Sequence, residues 1–96
     1  MTTDEIEVRH VPERHRFEIL VGGERAGLST YRDAAGRRVF IHTEIDSARE
    51  GQGLGGKLIR AALDATRAQG LTVEPQCPFV KSFIDRHPDY ADLVAA

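Results

Sequence analysis

The sequence predicts an α/β (α+β) fold built on a mixed, mostly antiparallel sheet of about five strands. A long helix follows the fourth strand, and a second helix lies near the C-terminus. Three observations carry this expectation. Apolar and polar residues alternate between turn signals as far as residue 45. A helical apolar spacing replaces the alternation over residues 53–69. A short β-branched run and a proline-led apolar segment then follow. With 96 residues, 41% hydrophobic and 29% charged, the chain fits one domain over 1–96 and lies outside the disordered range.

Ile6 and Val8 start a short strand that Pro12-Glu13-Arg14 breaks. Arg16 to Val21 is the second strand, with Phe17, Ile19 and Val21 on one face, and Gly22-Gly23 supplies the positive φ of a hairpin turn. Glu24 to Arg32 returns, and Asp33-Ala34-Ala35-Gly36 turns the chain again. Arg37 to Ile45 is the strongest strand, with Val39, Ile41, Thr43 and Ile45 on one face and Phe40, His42 and Glu44 on the other. Four strands joined this closely form a meander. The helix over Gly53 to Gln69 buries Leu54, Leu58, Ala61, Ala62 and Ala65, exposes Lys57, Arg60, Asp64 and Arg67, and ends at Gly70. Leu71-Thr72-Val73 is a fifth strand, and strand–helix–strand order makes it parallel to the fourth. Pro78 opens a second helix that turns Phe79, Phe83 and Ile84 inward until His87-Pro88, and Tyr90 to Val94 forms a last helical turn.

Composition excludes several function classes. Thirteen Lys+Arg against fifteen Asp+Glu give a net charge of −2, so no basic field calls for nucleic acid or an anionic membrane. Cys77 is the single cysteine and cannot form an internal disulfide, which points to a reducing, cytoplasmic setting. No apolar run approaches the roughly 20 residues of a membrane span. Met1-Thr2-Thr3-Asp4-Glu5 is acidic and lacks a signal-peptide layout. No His, Cys or acid pair has metal-ligand spacing, so no metal is expected. A monomer or weak dimer is expected.

The most informative segment is Glu50-Gly51-Gln52-Gly53-Leu54-Gly55-Gly56-Lys57, between a strand and a helix. Glycines there let the backbone approach a ligand, and a helix N-terminus favours an anion such as a pyrophosphate. Gly51, Gly53 and Gly56 fit a dinucleotide fingerprint, with Glu74 near the ribose-binding distance. Gly51, Gly56 and Lys57 fit a P-loop spacing, with Leu58 where a hydroxyl residue holds Mg²⁺. Neither fits its context, because the loop follows four antiparallel strands.

The segment also resembles motif A of the GNAT superfamily of acetyl-coenzyme A-dependent acetyltransferases. Gly53 and Gly55 match that motif, while Glu50 stands where Arg or Gln is usual and Arg49 lies one place early. His42-Thr43-Glu44-Ile45-Asp46, Pro75-Gln76-Cys77-Pro78-Phe79-Val80 and His87-Pro88-Asp89-Tyr90 are similar to a short single-domain branch of the superfamily, over nearly all of residues 5–94. The resemblance implies a V-shaped opening between the fourth and fifth strands. Acetyl-coenzyme A would lie there, with its pantetheine arm along Glu44, Ile45 and Asp46. Its pyrophosphate would rest on the loop of Gly51, Gln52, Gly53, Leu54, Gly55 and Gly56, with Lys57 and Lys81 as outer phosphate contacts. It also implies acetyl transfer to an amine or thiol.

Three residues are candidates for the chemistry. His42 and Glu44 share a strand face, and Cys77 lies just after the neighbouring strand. The resembling branch implies a Cys77–His42 pair, in which the thiolate takes the acetyl group first. Direct transfer with His42 or Glu44 as general base is the alternative. A lone buried cysteine is also an ordinary small core residue. Only about five residues, Val11 to His15, join the first two strands, where larger relatives carry helices over the acceptor site. An open acceptor side suits a peptide, a protein surface or a small amine. A non-catalytic coenzyme A-binding module, acting as a sensor or partner domain, is the rival reading, and a nucleotide-binding domain is the third.

Overall fold

The computed structural model describes residues 5–95; residues 1–4, which carry most of the acidic N-terminal signature, and residue 96 lie outside them. Five strands form one sheet in the order β1-β2-β3-β4-β5: β1 Ile6–Val11, β2 Arg16–Val21, β3 Glu24–Ala34, β4 Arg37–Ile45 and β5 Thr72–Pro75. The first four pair antiparallel and β4 pairs with β5 in parallel. Helix α1 spans Leu54–Ala68 and helix α2 spans Pro78–Arg86. A 3-10 segment over Pro88–Leu93 completes the fold, and Ala95 N–H donates to the Val73 carbonyl at 2.9 Å.

Both helices share one core with a single face of the sheet. Phe17, Ile19, Phe40, Leu58, Ile59 and Leu63 are its largest fully buried side chains. The opposite face is held by ion pairs across short side-chain gaps. Glu18 accepts from Arg16 at 2.7 Å beside Arg25, and Arg37 meets Glu74 at 3.2 Å next to the buried Val39. Long charged side chains of this kind shield the apolar residues between them with their methylenes.

Four expectations change. β3 runs to Ala34, so the turn shrinks to Ala35-Gly36, both with positive φ, 52° and 78°. This is the mirror-type geometry that suits a twisted two-residue hairpin. β4 does not alternate throughout, because Thr30 faces His42 while Tyr31 faces Phe40, which makes Ile41 the extra residue of a bulge. Phe40, Thr43 and Ile45 therefore face the helices, and Ile41 is exposed. α1 buries Leu54, Leu58, Ile59, Ala62, Leu63 and Thr66, leaving Ala61 and Ala65 half-buried at the margin. Ile59 and Leu63 bury more apolar area than alanine methyls, so they set the inward direction. In α2, Val80 takes the inward place expected of Phe79, which stays exposed.

The Ala35 conformation gives a first prediction. A Cβ in the left-handed region costs energy that glycine avoids, partly offset by glycine's larger unfolded-state entropy. Ala35→Gly is expected to raise the unfolding free energy by about 0.5 kcal/mol, read by urea denaturation.

Candidate active site

The site begins where β4 and β5 part. Their pairing stops at Phe40 and Pro75. Gln76 and Cys77 N–H both donate to the Phe40 carbonyl, at 3.1 and 2.9 Å, and Pro78 then turns the chain into α2. From Ile41 to Ile45, β4 has no strand on that side among the described residues. Backbone groups alternate sides along an antiparallel strand. Asp46 N–H donates to Ala26 on β3 at 2.8 Å. By that alternation Glu44 also turns its backbone toward β3, while Thr43 and Ile45 offer theirs to the opening. Of the three expected pantetheine contacts, Ile45 keeps free backbone groups toward the opening, and Thr43 joins it.

A groove of about 560 Å³ fills the space between this strand edge, the glycine loop and α2. Thr43, Glu44 and Ile45 form one wall, Gly51, Gly53, Leu54, Gly55 and Gly56 the floor, and Phe79 the far side. Arg49 and Glu50 both reach its rim. Gly53 caps α1 with φ 75°, so the first amides of a fifteen-residue helix face the groove without a competing side chain. Gly55 is fixed by contact, since a Cβ there would stand 2.5 Å from the Phe79 ring. The residues present suit a long ligand bearing phosphates: an extended edge for amide pairing, and a bare helix start for the anion.

Gln52 and Lys57 line a second hollow on the other side of the loop. Lys81 lines neither hollow and pairs with Asp85 at 3.0 Å. Asp46 also lines neither; its N–H is committed to β3 and its carbonyl accepts from Arg49 at 2.9 Å.

His42 Nε2 and Glu44 Oε2 lie 3.0 Å apart on the open face of the sheet. Cys77 is buried on the helix face, where its Sγ donates to Thr43 Oγ1 at 3.5 Å and Thr43 in turn bonds Ser29 at 2.9 Å. The expected convergence of Cys77 with His42 is therefore not formed: residues 42 and 43 point to opposite faces, and the cysteine follows residue 43. Among the described residues, no group of three or more His, Cys, Asp or Glu is placed to hold a metal.

A mixed sheet splayed beside a glycine-led helix start defines an α/β protein with a groove between a free strand edge and a bare helix start. The sequence profile of the GCN5-related N-acetyl-transferase family matches residues 16–93, so the chain belongs to that family of acetyl-coenzyme A-dependent enzymes. Among solved structures it is similar to a GCN5-like protein of Staphylococcus aureus, with TM-score 0.72 and 24% identity over 94% of this chain and 88% of that one. The ribosomal-protein-S18-alanine N-acetyltransferase of Escherichia coli aligns with TM-score 0.66 and 16% identity, over 77% of this chain and 52% of that one. The IAA acetyltransferase of Bacillus cereus gives 0.63 and 13%, over 88% and 75%. At these identities the likeness is one of fold. No curated protein matches the sequence. No helix among the described residues is long and apolar enough to cross a membrane.

Proposed function

We propose that this protein transfers an acetyl group from acetyl-coenzyme A directly to an amine presented on the open face of the sheet. The groove carries the reading: it joins an unpaired β4 edge to a helix start through one continuous cleft. The pantetheine arm pairs with the backbone of Thr43 and Ile45, and the pyrophosphate takes the amides from Gly53 to Gly56. His42 and Glu44 act on the acceptor side. As the amine nitrogen bonds to the thioester carbonyl, the pair removes its proton, and the sulfur leaves with its electron pair. Cys77, bonded to Thr43, supports the groove wall from the helix face. An amine-bearing peptide, protein or small molecule suits the acceptor side, because only the four residues 12–15 join β1 to β2 and both helices lie behind the sheet.

Filling the groove tests the reading. Gly55→Val pushes side-chain atoms into Phe79, whose exposed ring can turn aside and close the cleft. Acetyl-coenzyme A at 100 times its dissociation constant adds about 2.7 kcal/mol of stability to the wild type, a melting shift of about 10–20 °C for a chain this size. The variant is expected to show little of that shift while melting near the wild-type temperature without ligand. An equal shift in both proteins would remove the groove from the binding reaction.

A further inference from the structure

β1 is an outer strand of the sheet, and among the described residues no strand pairs with its free side. Gly22 N–H donates to the Glu5 carbonyl at 2.9 Å, so Glu5 turns its backbone toward β2. By alternation Glu7, Arg9 and Val11 do the same, which directs the N–H and C=O groups of Ile6, Val8 and His10 outward. The edge carries few of the usual guards. β1 pairs with β2 over all six residues without a bulge, it contains no proline, and Ile6 is 45% exposed. Such an edge is a template for another strand.

The side chains select that strand. Glu7 and Arg9 stand together on the open face, both exposed, and among the described residues their ion pair is with each other, at 3.3 Å. A second copy of β1 laid antiparallel can form its ladder only where outward residues meet outward residues. Three two-fold arrangements centre on the strand. With the axis at residue 7, Glu7 meets Glu7 of the second copy, and with the axis at residue 9, Arg9 meets Arg9. Like charges directly opposite destabilise a strand pair. With the axis at Val8, Glu7 stands opposite Arg9 in both directions, and Val8 exchanges both backbone bonds with Val8 of the second copy. On the helix face, Ile6 then lies opposite His10, whose ring stacks on Phe17 with centroids 4.2 Å apart. One register thus satisfies the backbone, the charges and the exposed apolar residue, and it uses only residues 5–11.

We propose that the free edge of β1 pairs antiparallel with β1 of a second copy about a two-fold axis at Val8, giving one ten-stranded sheet. Such an axis crosses the sheet, so both open faces look the same way. Their His42–Glu44 pairs lie seven strand spacings apart, about 34 Å along the sheet. One strand from each copy makes a small interface, so the dimer is weak and depends on concentration. Sedimentation equilibrium of the full chain, from about 10 µM to about 1 mM, is expected to pass from one chain to two. Glu7→Arg sets arginine opposite Arg9 of the second copy at both ends and is expected to weaken the dimer at least about tenfold. Arg9→Glu is expected to do the same with acids. The two variants mixed in equal amounts recover complementary pairs, so the mixture is expected to dimerise where neither does alone. Glu7→Arg/Arg9→Glu is expected to regain the dimer by itself. Both positions are exposed, and melting curves in dilute solution record that each variant keeps the fold. A single chain at every concentration would overturn the pairing with a second copy. A dimer that both single variants keep, or a mixture and a double variant that stay single, would overturn it equally.

Discussion

Arg38→Met is expected to lower the unfolding free energy by about 3 kcal/mol and the melting temperature by about 12–24 °C. Arg38 is 2% exposed although it carries a charge. Its Nε and Nη2 donate to the two Asp33 oxygens at 2.9 and 3.0 Å, and its Nη1 to Gln69 at 2.6 Å and Thr66 at 3.4 Å. The guanidinium also lies 4.2 Å from the Tyr31 ring centroid. One side chain thus ties the β3–β4 hairpin to the end of α1. Methionine keeps much of the apolar stem and loses every donor, so the loss measures the polar network more than the packing. Chemical denaturation at neutral pH gives the number, and a loss under 1 kcal/mol would show that the network is replaceable.

The same network sets a pH dependence of known sign. The bond from Arg38 holds the Asp33 carboxyl below its ordinary value of 3.8. That stability is present above 3.8 and is lost as pH falls through the lower folded-state value. Burial, with the nearby Arg38 charge second, holds His10 below 6.5, so the unfolded state binds the extra proton and the fold weakens as pH drops through 6.5. In Arg38→Met the arginine contribution disappears, and His10 is expected to titrate at higher pH in an NMR titration of its ring protons.

Most of the fold was legible because strands and helices write their period into the chain. Phe17, Ile19 and Val21 alternate, and the glycine loop separates a period of two from a period near 3.6. What the periods could not carry were departures from them. The bulge at Ile41 has no glycine or proline to mark it, and it inverts the facing of every β4 residue before it. Its consequence reaches the site, because it is the register at Thr43, Ile45 and Asp46 that decides which backbone groups meet the opening. Phe79 reads as core by spacing, since apolar character says nothing about whether a ring lines a core or a cleft. The clue lay in Gly55, whose missing side chain makes room for that ring. Lys57 and Arg60 were visible as basic residues on one face of the helix after the loop, whereas Arg86 comes to them from α2, a proximity that requires the packing of α1 against α2.

The largest effect on activity is expected at the open face. His42→Ala and Glu44→Gln are each expected to slow acetyl transfer by about 100-fold, the lower end of what a positioned general base supplies. Their side chains meet at 3.0 Å, and Glu44 also lines the groove rim, so the pair bridges the cleft and the face from which an acceptor arrives. A carboxylate beside the imidazole orients the ring and stabilises the cation that forms when it takes a proton. Neither side chain offers the backbone contacts of the coenzyme, so acetyl-coenzyme A affinity is expected to hold while turnover falls. Cys77→Ala should behave otherwise. Its sulfur bonds Thr43 behind the strand, away from His42, so the variant should keep turnover within about threefold, the size of one weak hydrogen bond. Initial rates of coenzyme A release over a panel of primary amines and lysine peptides, with intact-mass spectra of the enzyme after acetyl-coenzyme A, read these effects together. A hydroxylamine-sensitive acetyl adduct on the wild type, lost with its turnover in Cys77→Ala, would replace direct transfer with a covalent route and require the cysteine to leave the face on which it now packs.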